Sequence, residues 1–479
     1  MHIVIIGGGP AGYEAALVAA EHKHQVTLVS DDGMGGNSVL WDCVPSKALI
    51  VSADAMGWMQ SADRLGVRLA DGTGVHSNSE VDMTSVIDRV AHLARDQSDD
   101  ISTRLDQSGI EVVRGRARLC GSSSVAVTPA DGDPYEIDAH MVLLATGSNP
   151  RILPFFEPDG KRVFTARELF SLEVLPEKLI VVGSGATGAE YANAFARFGS
   201  EVHLVSSREQ VLPSEDPDAA RVIEGSFEDW GMVIHRERRA VDVEVRDDGV
   251  RVRMELSKDG EVVEGGGEWI EGSHVLFCVG QVPASDDLGL DDVGVDVKDW
   301  GAIPVDGVSR TNLLTVYAAG DVTGGMMLAS TAAMQGRNAI WHFIGKSVQP
   351  LRSDVISSCV FTSPEVASVG IPTDRVAEYP EGAIESVTLQ FQSNPRAKMT
   401  EHTSGFVKLH ARRGSGTVLG AVICANSASD LITPLSIAVR NRLTVEQLAH
   451  AFTTYPSMAG SIQETARMLL ARQPDEAVY

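Results

Sequence analysis

Residues His2-Ile3-Val4-Ile5-Ile6 form an unbroken apolar run of strand length, followed at once by Gly7-x-Gly9-x-x-Gly12 and an alanine-rich stretch from Tyr13 to Ala20. A short continuous apolar run suits a parallel strand buried on both faces, and the stretch behind it suits a helix. A second apolar run, Gln25 to Val29, completes a βαβ unit. The pattern returns further along. Leu179-Ile180-Val181-Val182 leads into Gly183-x-Gly185-x-x-Gly188, a helix reaching Phe198 and the strand Val202-His203-Leu204-Val205. No apolar run approaches the roughly 18 residues of a spanning helix, so no membrane span is predicted.

Each glycine cluster stands between a strand and a helix, which is the context a dinucleotide needs. Glycines permit the tight turn and close backbone approach, and the helix N-terminus presents N–H groups and a positive dipole to a pyrophosphate. The candidate ligands are Gly7, Gly9, Pro10, Ala11 and Gly12 in the first unit, and Gly183, Gly185, Thr187 and Gly188 in the second. An acid normally closes the second strand to bind a ribose hydroxyl. The first unit offers Asp31, one position late. The second offers Ser206, Ser207 and Arg208 with no carboxylate, and the guanidinium would accept a 2′-phosphate. That favours NADPH, or use of both NADPH and NADH, unless Arg208 is simply a solvated surface residue.

A chain of 479 residues exceeds one hydrophobic core and predicts about three domains. With 43% hydrophobic and 22% charged residues it is a folded, soluble composition. The net charge of −25 and the lack of any Lys/Arg cluster exclude nucleic acid as a partner, because phosphate contacts need a basic footprint. Met1 leads straight into the first strand, leaving no room for a signal peptide. The five cysteines are scattered and form no Cys-x-x-Cys pair, so neither a disulfide framework nor a metal site is predicted, and a reducing cytoplasm is the expected location.

Further signatures stand in order along the chain. They are Gly35-Gly36-Asn37-Ser38-Val39-Leu40-Trp41-Asp42-Cys43-Val44-Pro45-Ser46-Lys47, Ala145-Thr146-Gly147, Thr311-Asn312-x-x-x-Val316-Tyr317-Ala318-Ala319-Gly320-Asp321, Phe361-Thr362-Ser363-Pro364-Glu365 and Asn394-Pro395-Arg396-Ala397-Lys398. Together with the two glycine units, they resemble the flavoprotein disulfide reductases, the family of glutathione reductase and lipoamide dehydrogenase, over essentially the whole chain. The resemblance implies an α/β fold with two Rossmann-like dinucleotide-binding domains, for FAD and NAD(P), and a C-terminal α+β dimerisation domain. Proline disfavours helix in the residue before it, which makes the link near Ser148-Asn149-Pro150 the expected hinge. The resemblance places FAD binding in residues 1–150 and 275–345, NAD(P) binding in 151–274 and a homodimer interface in 346–479. It assigns Gly36, Lys47, Thr146, Gly147, Gly280, Gly320 and Asp321 to the flavin. It also implies a helix opening at Leu328-Ala329-Ser330 whose N-terminus faces the flavin pyrimidine ring.

Lys47 follows Cys43 by four residues, so both share one helix face. In the family the matching lysine pairs with a glutamate beside flavin N5, a role that falls to Glu190. The family's motif carries two cysteines, however, and ungapped alignment puts Ser38 at the first and Cys43 at the second. Thiol–disulfide exchange requires both sulfurs. The family's C-terminal His-Pro-x-x-x-Glu, a base with its orienting carboxylate, reads Tyr455-Pro456-Ser457-Met458-Ala459-Gly460 here. The three losses belong to one mechanism.

Cys43, Lys47, Glu190 and Tyr455 are therefore the candidate catalytic residues. Cys43 is either a reactive thiolate at a helix start or a small side chain under the flavin. Trp41 either shapes a pocket or packs in the core. Tyr455 either donates a hydrogen bond to an acceptor or packs at the dimer contact. The losses resemble those of the lipoamide-dehydrogenase-like NAD(P)H quinone reductases of actinobacteria, which implies a quinone or similar small electron acceptor. A pyridine-nucleotide transhydrogenase, a single-cysteine disulfide or persulfide reductase and a non-catalytic flavoprotein subunit are the alternatives.

Overall fold

The computed structural model describes residues 1–75 and 79–473, so the last positions of the expected interface domain, 474–479, lie outside the described residues. The chain divides into two compact units. The first comprises residues 1–52, 81–175 and 279–352, and the second comprises the described residues of 53–80, 176–278 and 353–479.

In the first unit, the run at residues 2–6 is a central parallel strand. It lies between Gln25–Ser30 and Met141–Leu144, with Val316–Ala318 and Glu111–Gly121 flanking these. Beyond Glu111–Gly121 the sheet continues antiparallel through Ser124–Pro129 and Tyr135–Asp138. Side chains alternate across a strand, so this apolar run must feed two cores. Ile3 and Ile5 pack with Ala15, Ala16, Ala339 and Ile340 on one face. Val4 and Ile6 pack with Leu119, Val125, Leu144 and Val316 on the other. The helix Pro10–Glu21 is longer at both ends than the Tyr13–Ala20 stretch suggested, with Pro10 in its first turn, where a missing N–H costs nothing. It packs closely on the helix Ala329–Phe343, for a Cβ on Gly336 would lie 2.1 Å from the Ala11 carbonyl oxygen. The expected hinge at Ser148-Asn149-Pro150 is extended backbone, the strand Ser148–Pro150, paired antiparallel with Gln281–Pro283.

The second unit repeats the first motif. Parallel strands run Val233–His235, Glu201–Val205, Lys178–Val182 and His274–Phe277, with the helix Ala186–Phe198 following the second glycine cluster. Gly199 ends that helix in the left-handed region at φ 106°. An antiparallel sheet of Arg238–Val245, Val250–Lys258 and Glu261–Gly272 follows. The C-terminal part is a five-stranded antiparallel sheet in the order Ser357–Val360, Glu365–Gly370, Val418–Ala425, Phe406–Arg412, Ile384–Gln390. Its core gathers Phe391, Ile423, Leu435, Ile462 and Leu469. Two Rossmann-like layers and a C-terminal α+β region make up the α/β fold that the resemblance implied.

Candidate functional site

The two glycine clusters fold alike to a degree that exposes the job of each position. Gly7 and Gly183 have φ of 115° and 111°, and a Cβ on either would lie 2.2 Å from a carbonyl oxygen, that of Ala145 or Cys278. A Cβ on Gly12 or Gly188 would lie 1.9 or 1.8 Å from the carbonyl oxygen of the first glycine. Both positions therefore admit only glycine on steric grounds. The middle glycines differ. Gly9 and Gly185 cap their helices in extended conformation at φ −72°, and a Cβ on either would meet nothing within 4 Å. The fold does not need these two bare, and open space before a helix N-terminus is where a pyrophosphate is commonly held.

In front of Gly9 lies a cavity of about 710 Å³ within the first unit. It gathers Gly7, Gly9, Pro10, Ala11, Asp31, Gly36, Thr146, Gly147, Gly320, Asp321 and Ala329 from five separate parts of the chain, together with Ser38 and Cys43. Ligand pockets of this size hold a substantial organic molecule, and the elongated set of lining segments suits a dinucleotide. The cradle fits FAD: open space above the middle glycine, an acid at the end of the second strand and a carboxyl at Asp321. Leu328 caps the helix that begins at Ala329, and Ser330 lies in its first turn. Gly280 sits at φ 103° where the chain returns to this unit.

Side-chain contacts set the cavity's chemistry. The Thr146 hydroxyl donates to the Ala284 carbonyl at 2.6 Å, pinning the Ala145-Thr146-Gly147 crossover. The Ser148 hydroxyl donates to Asp321 at 2.8 Å. Burial raises the Asp321 carboxyl above the ordinary value, and the neighbouring Asp42 charge adds to this. Burial also raises Asp42, against the pull of Lys47. Asp31 accepts from Arg116 Nε at 3.2 Å in an exposed ion pair.

Segment 35–47 folds into two helices, Gly36–Leu40 and Cys43–Ser61, so Cys43 does open a helix with Lys47 one turn on. Gly35, at φ 100°, starts the first helix, and its N–H donates to the Gly8 carbonyl at 2.8 Å, which ties the segment to the glycine cluster. The Ser38 hydroxyl donates to the Gly35 carbonyl at 2.9 Å, satisfying its own helix. Trp41 does not sit in an apolar core. Its indole N–H points to Asp32 at 3.4 Å and its ring lies under the Arg167 guanidinium, 5.0 Å from the ring centre. No sequence signal linked Trp41 to Arg167, because nothing in either local pattern encodes the other.

The remaining candidates lie in the second unit. Glu190 is 4% exposed on the helix Ala186–Phe198, and the Phe361 amide donates to its Oε1 at 2.9 Å. Sequence reading named both residues but not this bond between them. Ser206 is buried, lies 2.8 Å from the Ser184 hydroxyl and donates to the Arg208 carbonyl at 2.9 Å, so it braces the loop. The Ser207 carbonyl accepts from Ser257 at 2.9 Å. The Arg208 guanidinium donates to the Asp259 carbonyl on a neighbouring hairpin, with no carboxylate in the contact. Thr187 lies in the first turn of its helix. Tyr455, 86% exposed, precedes Pro456 in the loop before the helix Gly460–Leu470. Among the described residues no cluster of three or more His, Cys, Asp or Glu could hold a metal, and no helix is long and apolar enough to cross a membrane.

Comparison with known proteins agrees with this arrangement. The family model of pyridine nucleotide-disulphide oxidoreductases matches residues 1–336, and the model of their dimerisation domain matches residues 356–466. An NAD(P)H dehydrogenase (quinone) of Mycobacterium tuberculosis is 44% identical over 98% of this chain and 94% of its own length. A dihydrolipoyl dehydrogenase of Chlorobaculum tepidum is 34% identical over 97% of this chain and 96% of its own. The crystal structure of LpdA from M. tuberculosis superimposes with a TM-score of 0.91 at 44% identity, covering 98% of this chain and 99% of that one. The HOCl-induced flavoprotein disulfide reductase RclA of Escherichia coli shares the fold at TM-score 0.83 and 24% identity, over 98% of this chain and 100% of its own.

Proposed function

We propose that this chain, which belongs to the pyridine nucleotide-disulphide oxidoreductase family, is an FAD-dependent NAD(P)H:quinone oxidoreductase that works without a redox-active disulfide. As a member it is a flavoprotein oxidoreductase with a dimerisation domain. The observation that carries the finer reading is Ser38. At the place of the family's exchanging sulfur stands a hydroxyl that gives its hydrogen to Gly35, and a hydroxyl cannot close a bridge to Cys43. The 44% identical mycobacterial relative, named as a quinone dehydrogenase, points the same way.

Bound FAD supplies two-electron chemistry between a nicotinamide and an acceptor that needs no covalent help from sulfur, which suits a planar, electrophilic quinone. The protein's task is then to bind and orient. Gly7, Gly9 and Gly12 with Asp31, Thr146, Gly147, Gly280, Gly320 and Asp321 hold the flavin dinucleotide, and Gly183, Gly185, Thr187 and Gly188 hold the nicotinamide dinucleotide. Lys47 and Glu190 form the charge pair at the flavin. Arg208, carrying a guanidinium without a carboxylate partner in its hairpin contact, favours NADPH over NADH. FAD domains at 1–150 and 275–345, an NAD(P) domain at 151–274 and a homodimer through 346–479 complete the reading, with Tyr455 of one protomer offered to its partner's acceptor site.

Two measurements test it. Anaerobic protein that stays yellow in excess NADPH would remove every reading in which a nicotinamide reduces the flavin. Turnover of a simple benzoquinone should greatly exceed turnover of lipoamide, and the opposite ranking would restore a disulfide substrate.

A further inference from the structure

The cavity before Gly9 is oddly charged for its purpose. Six carboxylates line it, those of Asp31, Asp32, Asp42, Asp286, Asp287 and Asp321, against two guanidinium groups, those of Arg116 and Arg167. A dinucleotide would bring a pyrophosphate into this excess of negative charge. The helix N-terminus at Gly9 offers only about half a positive charge. The Arg116 side chain is 79% exposed in an ion pair with an Asp31 that is 59% exposed, an arrangement that fixes little.

Arg167 is held differently. Its Nη2 donates to Asp32 at 3.2 Å, its guanidinium carbon lies 5.0 Å from the centre of the Trp41 ring, and the Trp41 indole N–H points to the same Asp32 oxygen at 3.4 Å. Three residues from three segments form a closed set around one carboxylate. Arg167 Nε and Nη1 have no acceptor among the described residues. A planar fork gripped on one edge and one face, with donors left over beside a cavity, has already lost the rotamer freedom that anion binding would otherwise cost. The charges most exposed to repulsion are softened as well, since burial raises the carboxyls of Asp42 and Asp321.

We propose that Arg167 is the cation that takes the pyrophosphate of the dinucleotide held by the first unit, with Asp32 and Trp41 as its positioning residues. Trp41 thereby serves as the platform for the arginine that takes a phosphate ligand. The inference rests on FAD being the occupant of this cavity.

The test follows release of FAD fluorescence from the purified holoprotein on dilution, and displacement of FAD by added ADP or adenosine. Arg167→Leu should raise the FAD dissociation constant tenfold to about a hundredfold, the range expected for loss of charge-assisted hydrogen bonds. It should also cut the advantage of ADP over adenosine as a competitor by about the same factor. Arg167→Lys should fall between wild type and Arg167→Leu, and Trp41→Ala should weaken FAD more than Trp41→Phe. An Arg167→Leu protein that holds FAD as tightly as wild type would overturn the proposal. So would equal losses for ADP and adenosine, which would mean that Arg167 only supports the fold. Wild-type protein that binds no FAD at all would instead remove the reading beneath it.

Discussion

The Phe361 amide donates a 2.9 Å hydrogen bond to Glu190 Oε1, joining a helix of the second dinucleotide motif to the first loop of the C-terminal sheet. The carboxylate proposed to meet Lys47 is therefore already fixed on one oxygen. Glu190→Gln retains an acceptor for Phe361 and should leave stability nearly unchanged while slowing flavin reduction by NADPH. Glu190→Ala removes that acceptor and should cost about 1 kcal/mol in urea unfolding as well. Equal stability of the two variants would show that the bond contributes nothing.

Lys408 is buried with Asp216, donating to its two oxygens at 2.9 and 2.7 Å and to Asp218 at 2.6 Å. Asp216 also caps the helix Pro217–Asp229. Burial alone would raise the Asp216 carboxyl, but hydrogen bonds from Lys408 and Thr373 hold it below the ordinary value. A depressed carboxyl contributes stability at neutral pH that is lost as pH falls through its folded-state value. Lys408→Met should cost about 3–5 kcal/mol, because it strands the Asp216 charge. Adding Asp216→Asn should recover part of that loss, and chemical denaturation of the single and double variants checks it.

His410 lies fully buried between two hydroxyls, with Nε2 3.0 Å from Thr373 and Nδ1 2.7 Å from Ser386. The Thr373 hydroxyl gives its hydrogen to Asp216, so Nε2 must be the protonated nitrogen and Nδ1 the acceptor. Burial, with the Lys408 charge, lowers the imidazole to about 4. The unfolded chain takes up a proton near 6.5 and the folded one only near 4, so stability falls as pH drops through that window. The loss should approach about 3 kcal/mol. His410→Gln should flatten this part of the stability–pH curve, measured by urea melts between pH 7 and pH 4.5.

The glycine clusters predict a split by position. Gly12→Ala and Gly188→Ala place a methyl within 2 Å of a carbonyl oxygen and should prevent folding or greatly reduce yield. Gly9→Ala and Gly185→Ala meet no protein atom, so the fold should survive with stability changed by no more than about 1 kcal/mol. Gly9→Ala should weaken FAD, and Gly185→Ala should weaken NADPH. Thermal melts paired with FAD retention and the NADPH dissociation constant separate the two pairs.

Ser38→Cys restores the second sulfur in sequence but not the absent histidine. It should therefore gain little lipoamide turnover and leave quinone turnover largely intact. Cys43→Ser should likewise keep quinone turnover within about tenfold, or 1.4 kcal/mol in the barrier. A larger loss would make the Cys43 thiol chemical and not a packing group.

Much of the first unit was legible because its signals are local. An apolar pentad at residues 2–6, two glycines that exclude a Cβ and a helix behind them are set by short-range sterics, so the strand, the turn and the helix followed from the residues themselves, though the helix start at Pro10 did not. Ser38 and Tyr455 were legible for a simpler reason: covalent chemistry that lacks its atoms cannot be supplied by folding. The extended backbone of Ser148–Pro150 was legible from its proline, while its pairing with Gln281–Pro283, far along the chain, was not, because a proline restricts only its neighbour.

By itself, then, the sequence determined that serine and tyrosine stand at positions 38 and 455 and where the two strand–glycine–helix units lie. The tertiary structure decided who stands beside whom: Trp41 beneath Arg167, Phe361 on Glu190, Lys408 against Asp216. Those pairings join residues from 126 to 192 positions apart. No periodicity or propensity encodes such a pair, because each depends on how whole sheets and helices register once their apolar faces are buried.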